Sequence, residues 1–235
     1  MMRYSSIRAF DIPDAWYKTL EEIWRNGDEF KVQYGSEVTI TKKLNLSIEI
    51  TNPESRPLVA EKAPCDMNYV NFYALQYLWA GVKEEGETYT YGSRLREPVD
   101  QVQFLIDRYL EEPYDRQLTM VIRQPQDILK TIDDMKHEPP CLTVIDTELI
   151  DGHMHLTCYF RSWDAFAGLP ANIAGIQIFN EALVREINSK TEAEYKTGKL
   201  IFHSKNCHIY SRLYDLVEEL IKPEEDSRRQ WSKNR

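Results

Sequence analysis

No run in the chain approaches about 18 consecutive apolar residues, so nothing in it reads as a membrane span. The N-terminal stretch MMRYSSIRAFDIPDAW lacks the apolar block of a secretory signal, and the expected location is the cytoplasm. Cysteine is sparse and scattered. Cys65, Cys141, Cys158 and Cys207 form no C-x-x-C pair, which argues against a zinc ribbon and against a disulfide scaffold. There is no glycine-rich phosphate loop, no G-x-S-x-G elbow and no H-E-x-x-H, so P-loop and hydrolase readings lose support. An excess of basic charge is also missing. With 29 basic and 38 acidic residues the net charge is −9, which disfavours binding to a nucleic-acid polymer. A small phosphate ligand is still allowed, because a few converging arginines suffice to hold one.

What is present is an ordinary soluble composition, 42% hydrophobic and 29% charged over 235 residues, long enough to bury a substantial core. Without internal repeats or an evident linker, the expectation is one mixed α+β domain over residues 1–222. A charged tail, 223–235, is expected to be loose. Asp11-Ile12-Pro13 reads as a helix cap and first turn, with Trp16, Leu20, Ile23 and Trp24 at helical spacing up to Gly27. Leu44, Leu46, Ile48 and Ile50 alternate with polar residues as in a half-buried strand. MNYVNFYALQYLWAG reads as a helix ending at Gly81, YTYGSRLRE as a loop or short strand, and 99–110 as an amphipathic helix. RQLTMVIR is strand-like, and PQDILKTIDDM is a short helix or turn. The β-rich runs on either side of Asp151-Gly152 make a hairpin, and 172–189 a buried helix. GKLIFHSK is a late strand and YSRLYDLVEELI a last helix.

The stretch FRSWDAFAGLPANIAG, 160–175, sets Arg161, Ser162, Asp164 and Asn172 among apolar neighbours, where unpaired polar groups are costly. Either they satisfy one another or they await a polar ligand. The hairpin can bring Arg161 close to Cys141, and a cation there favours the nucleophilic thiolate. His208 and Tyr210, two apart in NCHIYSR, fit either a hydrogen-bonded turn or a pair of groups for a sugar hydroxyl. His153 and His155 share a strand face, but no third metal ligand is evident and no metal site is expected.

The stretch resembles the thymidylate synthase family, whose signature has the form R-S-x-D-x-x-x-G-L-P-x-N. Arg161-Ser162-Trp163-Asp164 and Gly168-Leu169-Pro170-Ala171-Asn172 supply it. Cys141, in PPC, stands 20 residues before Arg161, matching the family's nucleophile. CHIYS supplies His208 and Tyr210, YGSR the family's Y-G element with Tyr91, and EEPYDRQL its arginine-bearing loop with Arg116. The resemblance covers roughly 88–215 and is closest to compact archaeal members. Gln117 stands where a second arginine is common, Leu142 where a histidine usually follows the nucleophile, and no N-terminal arginine loop is found. The upstream catalytic glutamate has only Glu61 and Asp66 as candidates.

The resemblance implies a thymidylate synthase-like fold and reductive methylation of dUMP to dTMP through a covalent Cys141 adduct. Methylenetetrahydrofolate, or methylenetetrahydromethanopterin, would be the cofactor. It further implies that Arg161 and Ser162 bind the nucleotide phosphate, with Arg116 supplied by the partner subunit of a homodimer. Asn172 would read the pyrimidine, Asp164 contact base and folate, and His208 and Tyr210 hold the sugar. Tyr91 would serve proton removal. A pyrimidine nucleotide hydroxymethylase acting on dUMP, dCMP or CMP is the alternative reaction. A non-catalytic nucleotide- or RNA-binding protein is the alternative of another class.

Overall fold

A computed structural model describes residues 3–34, 37–133 and 138–222; the expected loose tail lies outside the described residues. Helices α1 (Ile12–Asn26), α2 (Met67–Phe72), α3 (Tyr91–Arg96), α4 (Gln101–Glu111), α5 (Gln126–Asp133), α6 (Gly168–Asn188) and α7 (Tyr214–Ile221) accompany one mixed sheet. Its strands are β1 (Tyr4–Ala9), β2 (Asp28–Tyr34), β3 (Glu37–Ile50), β4 (Thr119–Val121), β5 (Leu142–Ile150), β6 (His153–Phe160), β7 (Trp163–Asp164) and β8 (Lys196–Tyr210). The order is β1-β3-β8-β6-β5-β4, with β2 also on β3 and β7 also on β8. This is the single mixed α+β domain expected. Among the described residues no helix is long and apolar enough to cross a membrane.

Alternation decides which face of the sheet is inside. Leu46, Ile48 and Ile50 of β3 face Ser204, Phe202 and Leu200 of β8, and Leu156 and Cys158 of β6 continue the same layer. All of these are buried beneath α1 and α6. Each large aliphatic or aromatic side chain removed from water here contributes roughly 1.5–3 kcal/mol. The opposite face carries Val144, Thr157, Tyr159 and Ile201, which remain only half-buried.

Helix α1 follows the sequence reading closely. Asp11 accepts from the Asp14 amide at 2.9 Å, a cap worth about 1 kcal/mol, and Pro13 lies in the first turn where a missing N–H costs nothing. Fully buried Trp16 donates its indole N–H to the carbonyls of Ala165 and Phe166, at 3.1 and 3.2 Å. This bond pins α1 to the loop that carries Asp164. At the β5–β6 turn, Asp151 and Gly152 take φ of 48° and 75°, the left-handed pair that a tight hairpin requires.

Three elements differ from expectation. Tyr91–Arg96 is the helix α3, not a loop or strand, because Thr90 and Ser93 form a reciprocal cap invisible to hydrophobic periodicity. Gly92 in it has no room for a Cβ, which would meet the Leu78 carbonyl oxygen at 2.4 Å, so α3 lies directly on the preceding helical segment. Gly168-Leu169-Pro170 is the first turn of α6, since proline is tolerated there. The helix 67–81 continues beyond α2 as a π-helical segment, Tyr73–Ala80, closed by Gly81 at φ 68°.

Candidate active site

Cys141 immediately precedes β5. Pro139 and Pro140 lack N–H groups but offer carbonyls, and Arg161, just past the end of β6, takes both. Its Nη2 donates to Pro139 O at 2.6 Å and its Nε to Pro140 O at 3.1 Å, while its backbone N–H donates to Cys141 O at 2.9 Å. One guanidinium thereby holds the cysteine's approach segment, and three of its five N–H donors are left for a ligand. Burial pushes the Cys141 thiol above its ordinary value; Arg161 and Arg123 act against that rise and Glu138 adds to it.

Cys141, Arg161, Ser162, Asp164, His208 and Tyr210 line one cavity of about 470 Å³. The sequence reading brought these six together, and so does the fold. The instrument is a bulge. Between Leu44 and Leu46 the β3–β8 register slips, so that β8 spends three residues where β3 spends two. The slip carries Asn206 into the cavity lining, where its Nδ2 donates to Ser162 Oγ at 3.2 Å. Ser162, acting as acceptor there, keeps its own proton to donate. Beyond the bulge, β7 runs parallel to Cys207 and His208, which sets Asp164 beside His208.

His208 Nδ1 lies 3.1 Å from the Asn206 carbonyl. A carbonyl can only accept, so Nδ1 carries the proton and Nε2 is an acceptor suited to a hydroxyl donor. Burial lowers the His208 pKa from its ordinary value, which favours this neutral ring. The Tyr210 ring meets it edge-on, with centroids 4.9 Å apart.

The polar residues of 160–175 are not simply waiting for a ligand, as the resemblance suggested. Asp164 Oδ1 accepts from the amides of Phe166 and Ala167 at 2.9 and 3.1 Å. Asn172, on α6, accepts from Trp163 Nε1 at 2.9 Å and donates to Tyr73 OH at 2.9 Å. Because indole N–H can only donate, the amide orientation follows, and one lone pair and one N–H are still available. Asn172 and Tyr91 stand outside the cavity lining. Tyr91 OH accepts from the Leu142 amide at 3.3 Å, next to Cys141.

Sequence reasoning named Tyr91 and missed its companions. Tyr73 stacks on Tyr77 and Tyr77 meets Tyr91 edge-on, at 5.4 and 5.1 Å, and Tyr89 stacks on Tyr91 at 6.4 Å. Gly175 admits the Tyr73 ring, since a Cβ there would meet it at 2.4 Å. Burial raises the pKa of all four phenols, that of Tyr89 to about 12, and a Cys141 thiolate raises Tyr77, Tyr89 and Tyr91 further. A sequence signal existed, tyrosines at i, i+4 and at i, i+2, but it reads equally as core. Neither upstream acid reaches the cavity lining: Glu61 is exposed, and Asp66 caps α2 through the Tyr69 amide at 2.8 Å. The lining carboxylates are Glu138 and Asp164. Arg116 is exposed on the turn before β4, outside the cavity, and Arg108 braces that turn through Asp115.

A cysteine beside a cation, in one polar cavity with a histidine acceptor, is an arrangement able to present a thiol nucleophile to a small polar molecule. Comparison with known proteins shows the family. The family model described as thymidylate synthase matches residues 23–232. A protein of Methanosarcina acetivorans named "Putative thymidylate synthase" is 32% identical over 92% of this chain and 94% of its own. A protein of the same name from Methanothermobacter thermautotrophicus is 28% identical over 92% of this chain and 98% of its own. The chain belongs to the thymidylate synthase family, an enzyme family of the methyltransferase class.

Proposed function

We propose that this protein is a thymidylate synthase that reductively methylates dUMP to dTMP. The observation that carries the reading is the cavity in which Arg161 holds Cys141 at one side while Ser162, His208 and Tyr210 line the rest. Carbon 5 of uracil is a poor nucleophile until a thiolate adds at carbon 6 and leaves an enolate; Cys141 supplies that thiolate. Arg161 and Ser162 take the phosphate, His208 Nε2 and Tyr210 the sugar hydroxyl, and Asn172 the pyrimidine edge through its remaining donor and acceptor. Tyr91, hydrogen-bonded beside Cys141, belongs to the proton-removing network.

The residues present fit a flat heteroaromatic cofactor. The tyrosines 77 and 89 are half-buried rings, an aromatic flank on the cysteine side, and Asp164 adds a carboxylate. When bound, methylenetetrahydrofolate or methylenetetrahydromethanopterin supplies a one-carbon unit and a hydride. The chain's part is to orient the pyrimidine, hold the thiolate and carry away the carbon-5 proton.

Tritium release from dUMP labelled at carbon 5, followed together with dihydrofolate formation, tests the reaction. Equal yields support the synthase. Release without dihydrofolate favours a hydroxymethylase, and absence of both, with methanopterin carriers and cytosine nucleotides also tried, overturns catalysis.

A homodimer with Arg116 entering the partner's cavity is part of the proposal. Its motive is that Arg116 is exposed and outside the cavity of its own chain, while one sheet face is left half-buried. Arg116→Ala and Cys141→Ala are each expected to be inactive. Mixing them with subunit exchange should restore about a quarter of wild-type activity, the share of sites that receive both native residues. No recovery despite proven exchange would sink the shared site.

A further inference from the structure

The 3₁₀ turn Ser211–Leu213 follows the end of β8, and His208, Tyr210 and Arg212 all line one cavity. The Arg212 guanidinium lies 4.3 Å above the Tyr210 ring. Stacking uses the face of the guanidinium and leaves its in-plane N–H groups able to donate. No ion pair or hydrogen bond engages the Arg212 side chain among the described residues. Arg161, in contrast, has committed two donors to proline carbonyls.

Charge makes the case sharper. The charged residues lining the cavity are Glu138, Arg161, Asp164 and Arg212, two acids against two bases. Without Arg212 the lining would be net negative, and a phosphate dianion would be repelled from it. Arg212 is the second cation of the cavity lining within this chain.

We propose that Arg212 is a phosphate ligand of the nucleotide site, pre-positioned by stacking on Tyr210 and paired across the cavity with Arg161. This rests on the dUMP reading above and adds to it the source of the missing phosphate contact. Arg212 is a binding residue, and its signature is dependence on the phosphate alone.

Calorimetric titration of wild type, Arg212→Ala and Arg212→Lys with dUMP and with deoxyuridine tests it. Charge-assisted bonds of this kind make the expected loss of dUMP affinity in Arg212→Ala about tenfold to a hundredfold, with partial rescue by lysine. Deoxyuridine affinity should change by less than about twofold, because that ligand has nothing for Arg212 to hold. If both ligands weaken by one factor, Arg212 acts only through Tyr210 and the proposal is overturned. Undiminished dUMP binding overturns it as well. Wild-type protein that binds dUMP no better than deoxyuridine fails the monophosphate reading itself, a result distinct from the other two, and the role of Arg212 falls with it. Unchanged thermal unfolding of both variants excludes misfolding, as expected for an exposed side chain.

Discussion

Cys141→Ser is expected to abolish turnover, by ~10³-fold or more, while dUMP affinity stays within several-fold of wild type. The change is nearly isosteric at a half-buried position, so the cavity keeps its shape. What is lost is acidity. Even with burial pushing it up, a thiol near Arg161 and Arg123 stays far more acidic than a serine hydroxyl, and its thiolate is the stronger nucleophile. Among the described residues the cavity lining holds one histidine, His208, and its Nδ1–H is donated to the Asn206 carbonyl. Turnover within a few-fold of wild type would remove Cys141 from the mechanism. Retained binding by both proteins with turnover by neither would instead favour a non-catalytic nucleotide-binding protein.

The second large effect is expected at Arg161. Arg161→Ala removes two bonds to the Pro139 and Pro140 carbonyls, each worth about 1.5–3 kcal/mol, together with the proposed phosphate contact and a cation that favours the thiolate. A fall in kcat/KM of ~10³-fold is expected. Arg161→Lys should recover little, because a single ammonium cannot span two carbonyls and still face the cavity. The thiol itself gives an independent readout. Below its pKa, alkylation of Cys141 by iodoacetamide should quicken about tenfold per pH unit as the thiolate fraction grows. Removing a nearby cation destabilises the thiolate and raises the pKa, so the Arg161→Ala profile should move to higher pH. Superimposable profiles would show that Arg161 does not tune the nucleophile.

Much of the fold was legible because local rules and tertiary packing agreed. The Asp11 cap, the alternation through Leu44–Ile50, and the left-handed turn at Asp151-Gly152 are short-range preferences that the folded protein merely keeps. The strands β1 and β2 and the two-residue β7 were not anticipated. β1 and β7 alternate weakly or are too short to show a period, β2 alternates at Phe30, Val32 and Tyr34, and each pairs with β3 or β8. Helix α3 was misread for a related reason, since its stability lies in a reciprocal cap and in contact through Gly92.

The site divides along the same line. Hairpin geometry by itself brought Arg161 toward Cys141, because strand pairing across a tight turn can be counted along the chain; the joining of His208 and Tyr210 to them came from the family resemblance. Tertiary structure alone decided how those groups are used. It set Asn206 behind Ser162 through a bulge, gathered four tyrosines into one cluster from two separate segments, left Glu61 and Asp66 outside the cavity, and stacked Arg212 on Tyr210. These are contacts between elements distant in sequence. A one-residue slip in pairing register turns a side chain to the opposite face of the sheet, and only the closed sheet specifies which slip occurs.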